Sequence, residues 1–435
     1  MLKKRKFIWV SFLLLVLATG LAWLRQPASW RSLGRLRGRD VPAATAVVGP
    51  LFNAVGFVSY STGARPEDVV LADFNGDAVL DLAVCNSYHL IEPQKGDVSV
   101  FLGRARSGPG SLSTQGSGGA GPGGGDGSFG VESRLDPLGI RSEGLAAADL
   151  NGDGNLDLAV GSSCCESEEK ALAILLGDGK GGFAAGQELT FEAGPRDVVA
   201  ADCDGDGVVD LVTCEMAVDT VTFLRGGGDG TFQVTSPGFG VGEGPEVVAL
   251  GALNSDAEVD LMTANADGDS LTVLLGHGDG TFEVLPAVSV GDRPRFVITV
   301  DLDGDGLDDA VAANFRSSSV SVLENAGGGR LVLLQELRGY GLRGAAYLSV
   351  ADINSNGLSD LVVSFHRSGH VAIFPGEGGF AFAVPQVIAV GVSSLANLTA
   401  DLNGDSHLDL VVGNPRRDRL QVYLGLPPAA PTEGL

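Results

Sequence analysis

The chain has 435 residues, 65 of them glycine, with few aromatics and a formal charge of −25. Such an acidic chain is a poor partner for nucleic acid or anionic surfaces, and twice the usual glycine favours short strands and turns over long helices. The charge is uneven, because residues 1–40 hold nine Lys/Arg against one Asp.

Lys3, Lys4, Arg5 and Lys6 precede an uncharged stretch of 18 residues, 7–24. As a helix it would span ~27 Å, close to a hydrocarbon core of about 30 Å. Residues 1–24 therefore read as a signal-anchor helix, or as a signal peptide if Ala18-Thr19-Gly20 serves as a small-x-small cleavage site. Residues 25–50 read as a basic stalk. The body beyond residue 50 is expected outside the cytoplasm; it is membrane-anchored if the helix is kept and secreted if it is cleaved.

From residue 51 a unit recurs, clearest at 282–330. A strand opening on an aromatic (282–290) is followed by a turn containing Pro294. A strand at 296–300 enters an Asp-rich loop, a strand at 310–313 leaves it, and a fourth lies at 320–323. The runs are short, β-branched and bounded by Gly or Asp, as strands are. Turns such as Gly228-Asp229-Gly230 carry the Asp-Gly hairpin signal.

The Asp loop is fullest at 149–157, where Asp149, Asn151, Asp153, Asn155 and Asp157 place oxygens at positions one, three, five, seven and nine. Position six is glycine, which lets the backbone reverse. Asp202, Asp204, Asp206 and Asp210 repeat the pattern, as do Asp301, Asp303, Asp305 and Asp309. Asp73, Asn75, Asp77 and Asp81 keep the oxygens but have Ala78 at position six; Asp401, Asn403, Asp405 and Asp409 have Ser406 there. Two copies are degraded. Asp352, Asn354, Asn356 and Asp360 carry only two charges, and Ala252 replaces the first carboxylate ahead of Asn254, Asp256 and Asp260. Clustered hard oxygens suit Ca²⁺, which takes six to eight such ligands in a flexible cage.

The loops start at 73, 149, 202, 252, 301, 352 and 401. Seven copies with a period near fifty and four strands each predict an all-β fold, a seven-bladed β-propeller of four-stranded antiparallel blades over 51–425. The first interval is long because a Gly/Ser/Pro-rich insertion at 103–128 interrupts it, expected as a flexible loop. The tail 426–435 is expected to be disordered. The chain resembles the FG-GAP/VCBS repeat family, whose best-known members form the propeller head of integrin α chains. The resemblance rests on the Asp loops and on the Leu-Leu-Gly-x-Gly-x-Gly-x-Phe turns at 175–183 and 274–282. It implies a seven-bladed propeller with structural Ca²⁺ at one face and ligand recognition elsewhere. No integrin-like leg, inserted domain or C-terminal span is expected from the sequence given.

No catalytic constellation stands out. There is no Gly-x-Ser-x-Gly elbow, and His366 and His370 lie in a predicted loop. Cys85 and Cys214 read as small buried residues, and Cys203 with Cys214 as a conceivable cross-link. Because successive connections in an antiparallel blade alternate ends, the variable loops joining the third and fourth strands of each unit should gather opposite the Asp loops. There Glu166, Glu168, Glu169, Glu215, Asp219, Asp267 and Asp269 fall in units two to four, and Arg316, His366, Arg367, Arg416, Arg417 and Arg419 in units five to seven. That face is expected to bind a protein or glycan, making the function adhesion or recognition rather than catalysis. The alternatives are a carbohydrate-active lyase or hydrolase, a lectin-like protein, or a scaffold subunit of a membrane complex.

Overall fold

The computed structural model describes residues 51–52, 57–87, 96–106, 125–135, 142–163, 171–235, 238–338 and 340–426. The helix expected over 1–24, the stalk over 25–50, the middle of the glycine-rich insertion and the tail beyond 426 lie outside them. The described elements are all β-strands, and no described helix is long and apolar enough to cross a membrane.

Seven small antiparallel sheets make the seven blades. Their innermost strands are Pro66–Ala72, Gly144–Ala148, Asp197–Ala201, Pro245–Gly251, Pro294–Val300, Ala345–Ala351 and Asn397–Ala400, each touching the next. The last touches the first, so the ring is closed. Each innermost strand runs into an Asp loop, and the loop leads into a second strand such as Asp210–Glu215. A four-residue turn in blades 3 to 7 leads to the third strand, and in blades 3 to 5 a glycine turn leads on to the outer one.

The blade is offset by one strand from the sequence unit. The aromatic-opening strand does not start a blade; it is the outer strand of the preceding one, as Phe232–Val234 pairs with Thr220–Gly226 in blade 3. The same offset leaves blade 7 one strand short. Val58–Ser61 fills the gap by pairing antiparallel with Arg419–Tyr423, and Phe52 bridges Gly425 beside it. The N-terminal end of the described chain thus closes the C-terminal blade.

The core is divided among seven layers, one between each pair of neighbouring blades. Second strands explain the unbroken apolar runs in the sequence. Leu82 and Val84 enter the layer shared with blade 7, while Ala83 and Cys85 enter the layer shared with blade 2. A strand buried on both faces needs apolar residues at every position rather than at alternate ones.

Several details differ from expectation. Pro294 opens the innermost strand instead of sitting in a turn, because its missing N–H is harmless at a first strand position. The predicted strand 282–290 is broken into Phe282–Val284 and Val288–Ser289. The ends of the 103–128 insertion are ordered, since Gly103–Ala105 pairs with Gly125–Phe129 and Phe129 is buried. Cys203 and Cys214 are separate free buried thiols, as is Cys85.

The Asp loops share a backbone shape that tolerates their substitutions. Position six is left-handed whether it is Gly154 (φ 88°), Gly207 (88°), Ala78 (65°) or Ser406 (68°). The last two hold a conformation that costs an L-residue roughly 1–2 kcal/mol. Ala78→Gly and Ser406→Gly should each raise stability by about 1 kcal/mol, read from urea midpoints. Ala257, at position six of the degraded blade 4 loop, is not left-handed; glycine there should give no gain.

Candidate functional site

The Asp loops lie at one end of the propeller and are held by their own backbone. The first-position carboxylate accepts N–H groups from within the loop, as Asp149 does from Gly152, Asp153 and Gly154. Third- and fifth-position oxygens cap the turn two residues on, as Asn75 and Asp77 do. Asn403 and Asp405 repeat this in blade 7.

The ninth aspartate has a different place. Asp81, Asp157, Asp210, Asp260, Asp309, Asp360 and Asp409 are buried at the start of the second strand. One oxygen accepts the N–H of loop position two, and the other accepts an N–H at the end of the third strand. For Asp210 these donors are Cys203 at 2.9 Å and Gly226 at 2.8 Å. The residue pins three segments of its blade. Burial pushes the Asp81, Asp210, Asp309 and Asp409 carboxyls up to about 6 against those hydrogen bonds. A glycine turn then links blades: the Gly181, Gly230, Gly280 and Gly329 N–H groups reach the second-position carbonyls of Phe74, Leu150, Cys203 and Leu253 in the preceding blade.

The loops differ in their fitness for a cation. In blades 3 and 5, oxygens of Asp202, Asp204 and Asp210, and of Asp301, Asp303 and Asp309, lie within 4.8 Å of one another. These hard-oxygen clusters could hold a metal ion, and the accepting oxygens keep a second lone pair for it. In blade 6 the Asn354 amide lies 3.1 and 3.0 Å from the two oxygens of Asp360, so an N–H₂ group faces the carboxylate. In blade 4 the first-position carboxylate is missing, and the Ala252 N–H donates to Asp308 of the next blade at 2.8 Å.

At the opposite end, Arg316, Arg367, Arg416, Arg417 and Arg419 are exposed on or beside the turns of blades 5 to 7. The Arg367 guanidinium stacks 4.4 Å above Phe315. His366 is half-buried, with Nδ1 2.8 Å from Ser393 Oγ. Burial, with Arg295, Arg416 and Arg65 nearby, lowers its pKa to about 4, so it is neutral at physiological pH. Of the acidic set, 164–170 lies outside the described residues. Glu215 is buried among Thr213, Thr220 and Thr222. Asp219 and Asp269 accept the backbone N–H groups of Gly244 and Arg293 in the following connections, and Asp267 meets Arg293 at 3.5 Å.

The acid concentrates instead on the propeller axis. A small cavity there is lined by Glu67, Asp68, Glu143, Arg196, Asp197, Glu246, Val247, Arg295, Phe296, Ala346, Tyr347 and Leu395. All come from the starts of the innermost strands, so the cavity opens at the end away from the Asp loops. Its wall is charged in blades 1 to 5, Arg295 coming from blade 5, and largely apolar in blades 6 and 7; Phe296 of blade 5 stacks on Tyr347 of blade 6 at 3.8 Å. Glu246 bonds Arg293 at 2.9 Å and Arg295 at 2.8 Å, with Arg196 at 3.8 Å. Burial raises the Glu246 pKa, but the three guanidiniums prevail and hold it at about 2.

Asp68 and Asp197 make no such ion pair. Tyr347 OH donates to Asp68 at 3.0 Å, as does the Leu145 N–H at 3.1 Å; the Val248 N–H donates to Asp197 at 3.1 Å. Both are surrounded by protein, although they keep some accessible surface because they face the cavity. Burial lifts Asp68 to about 6; burial and the Asp68 charge lift Asp197 to about 7. A carboxyl raised in the folded state favours folding fully below its unfolded pKa near 4, and that contribution is lost as pH rises through about 7. Asp197→Asn should therefore stabilise the protein by about 2 kcal/mol at pH 8, discounted for solvent in the cavity, with the gain gone at pH 4. Denaturation curves across that window measure it.

Sequence reasoning did not find this cavity, although a signal was present. Glu67, Arg196, Glu246 and Arg295 each follow a proline at the head of an innermost strand (Pro66, Pro195, Pro245, Pro294). A charged residue at the same place in four units marks a shared direction, and in a closed ring that direction is the axis.

Among solved structures, BBS1N in complex with ARL6DN has a similar fold: TM-score 0.56, 12% identity, 88% of this chain and 98% of that one covered. The periplasmic gluconolactonase PpgL of Pseudomonas aeruginosa gives 0.55 at 14% identity, covering 75% and 86%. A putative 6-phosphogluconolactonase of Bacteroides fragilis NCTC 9343 gives 0.55 at 13%, covering 81% and 97%. At such identities the likeness is of fold alone. No curated protein matches the sequence. The FG-GAP-like repeat family matches residues 149–213, 253–312, 301–363 and 352–412, together just over half the chain. Each match runs from one Asp loop into the next, through the ninth-position aspartate that staples the blade. The chain therefore belongs to the FG-GAP-like repeat family.

Proposed function

We propose that this protein is a recognition module rather than an enzyme: a propeller stiffened by Ca²⁺ at its Asp loops, working outside the cytoplasm and tethered by residues 7–24. It binds a protein or glycan with the face opposite those loops. The observation that carries the reading is the division between the two ends. Asp-loop side chains are largely engaged with their own backbone, whereas the other end presents exposed arginines without an ion pair among the described residues, around a charged axial cavity. Buried charge kept at a cost to stability is typical of binding surfaces. Two measurements test it. Ca²⁺ at a hundredfold excess over Kd should add about 2.7 kcal/mol per site, seen as a higher melting temperature that chelator reverses. Reversing the charge of Arg416, Arg417 and Arg419 together should abolish binding of a ligand identified on a glycan array or by co-purification; unchanged affinity would sink the recognition face.

A catalytic reading draws on one observation, that Asp68 and Asp197 sit in the cavity with pKa values of about 6 and 7. Carboxyls poised near neutrality can move protons. Turnover in a lyase and hydrolase screen, lost in Asp197→Asn, would favour it.

A further inference from the structure

Blades 3 and 5 carry the same four carboxylates in the same loop, with first-, third- and ninth-position oxygens clustered alike. They differ in the third strand beside the loop. The residue before the N–H that bonds the ninth aspartate is Arg225 in blade 3, ahead of Gly226. At the same register in blade 5 it is Glu324, ahead of Asn325. Blades 1, 2, 4 and 7 have Leu102, Leu176, Leu275 and Leu424 there.

Arg225 reaches the loop. Its Nε lies 2.8 Å from Asp204 Oδ2 and its Nη2 2.8 Å from Asp206 Oδ2. A guanidinium already occupies oxygens at positions three and five and adds a positive charge where a divalent ion would sit. Glu324 is half-buried, its side chain has no hydrogen bond or ion pair among the described residues, and by the same register it brings a negative charge to the corresponding side of blade 5.

We propose that Arg225 is a resident counter-ion that makes the blade 3 loop a weak divalent-cation site, while Glu324 makes the blade 5 loop a strong one. Two loops identical in motif are thereby separated in affinity by a single position outside it. The inference rests on the reading that these loops take Ca²⁺. Arg225 is exposed, so added salt should narrow the gap.

The test uses the full chain, with site-resolved anomalous scattering from Mn²⁺ titrated into crystals and Ca²⁺ isotherms in solution. Leucine is the replacement because four other blades carry it at this position. In wild type, blade 5 should fill at least tenfold earlier than blade 3. Arg225→Leu should raise blade 3 affinity at least tenfold and leave blade 5 unchanged; Glu324→Leu should weaken blade 5 several-fold. Equal filling of the two loops in wild type, or no gain at blade 3 in Arg225→Leu while blade 5 fills, overturns the inference and leaves the metal reading standing. Metal in neither loop, in wild type and both variants, overturns both together.

Discussion

Replacing Asp260 with alanine is expected to destabilise the protein by about 3 kcal/mol, whether or not divalent cations are present. Its carboxylate accepts N–H groups from Leu253 at 2.8 Å, Asn254 at 3.1 Å and Gly276 at 2.9 Å, in a fully buried position. Alanine would leave buried donors without partners, and each such orphan costs roughly 1–3 kcal/mol. Loss of a desolvated charge offsets part of this. Blade 4 is the informative place because its loop lacks the first carboxylate, Ala252 standing there. A loss of stability in chelator therefore reports the staple and no metal. Asp309→Ala, in a loop that could hold an ion, should lose a similar amount in chelator and more in Ca²⁺. If Asp260→Ala melts like wild type, the ninth aspartate is not what joins the strands.

Glu246→Gln should cost about 3–5 kcal/mol, since removing one member of a buried charge network strands the others. Arg295 would then have lost its carboxylate, while Arg196 would keep only Glu143 at 2.7 Å and Arg293 only Asp267 at 3.5 Å. Glutamine keeps the shape, so the loss reports charge. Glu246 has a depressed folded pKa, so its contribution is present above pH about 4.5 and fades as pH falls through about 2. The variant should match wild type only in strong acid. Adding Arg295→Gln should recover part of the loss, a coupling of about 1–3 kcal/mol in a double-mutant cycle. Additive losses would mean the two residues act separately.

The sequence alone determined the repeat, its count and its turn chemistry. Oxygens at fixed intervals, glycines at the left-handed positions and short apolar runs are local features, and each acts within one unit of about fifty residues. From them follow the sheets, the blade number and the end at which acidic loops gather. Tertiary structure alone decided that the blade is shifted by one strand and that Val58–Ser61 completes blade 7, because both depend on where the ring closes. It also decided that Asp210 and its equivalents are staples. The motif gives its oxygens equal standing, whereas the fold buries one of them where the loop, the second strand and the end of the third meet. The axial cavity could arise only there. Glu67, Arg196, Glu246 and Arg295 are some fifty or more residues apart in the chain, and only closure of seven wedge-like sheets around one axis brings their charges within reach of one another.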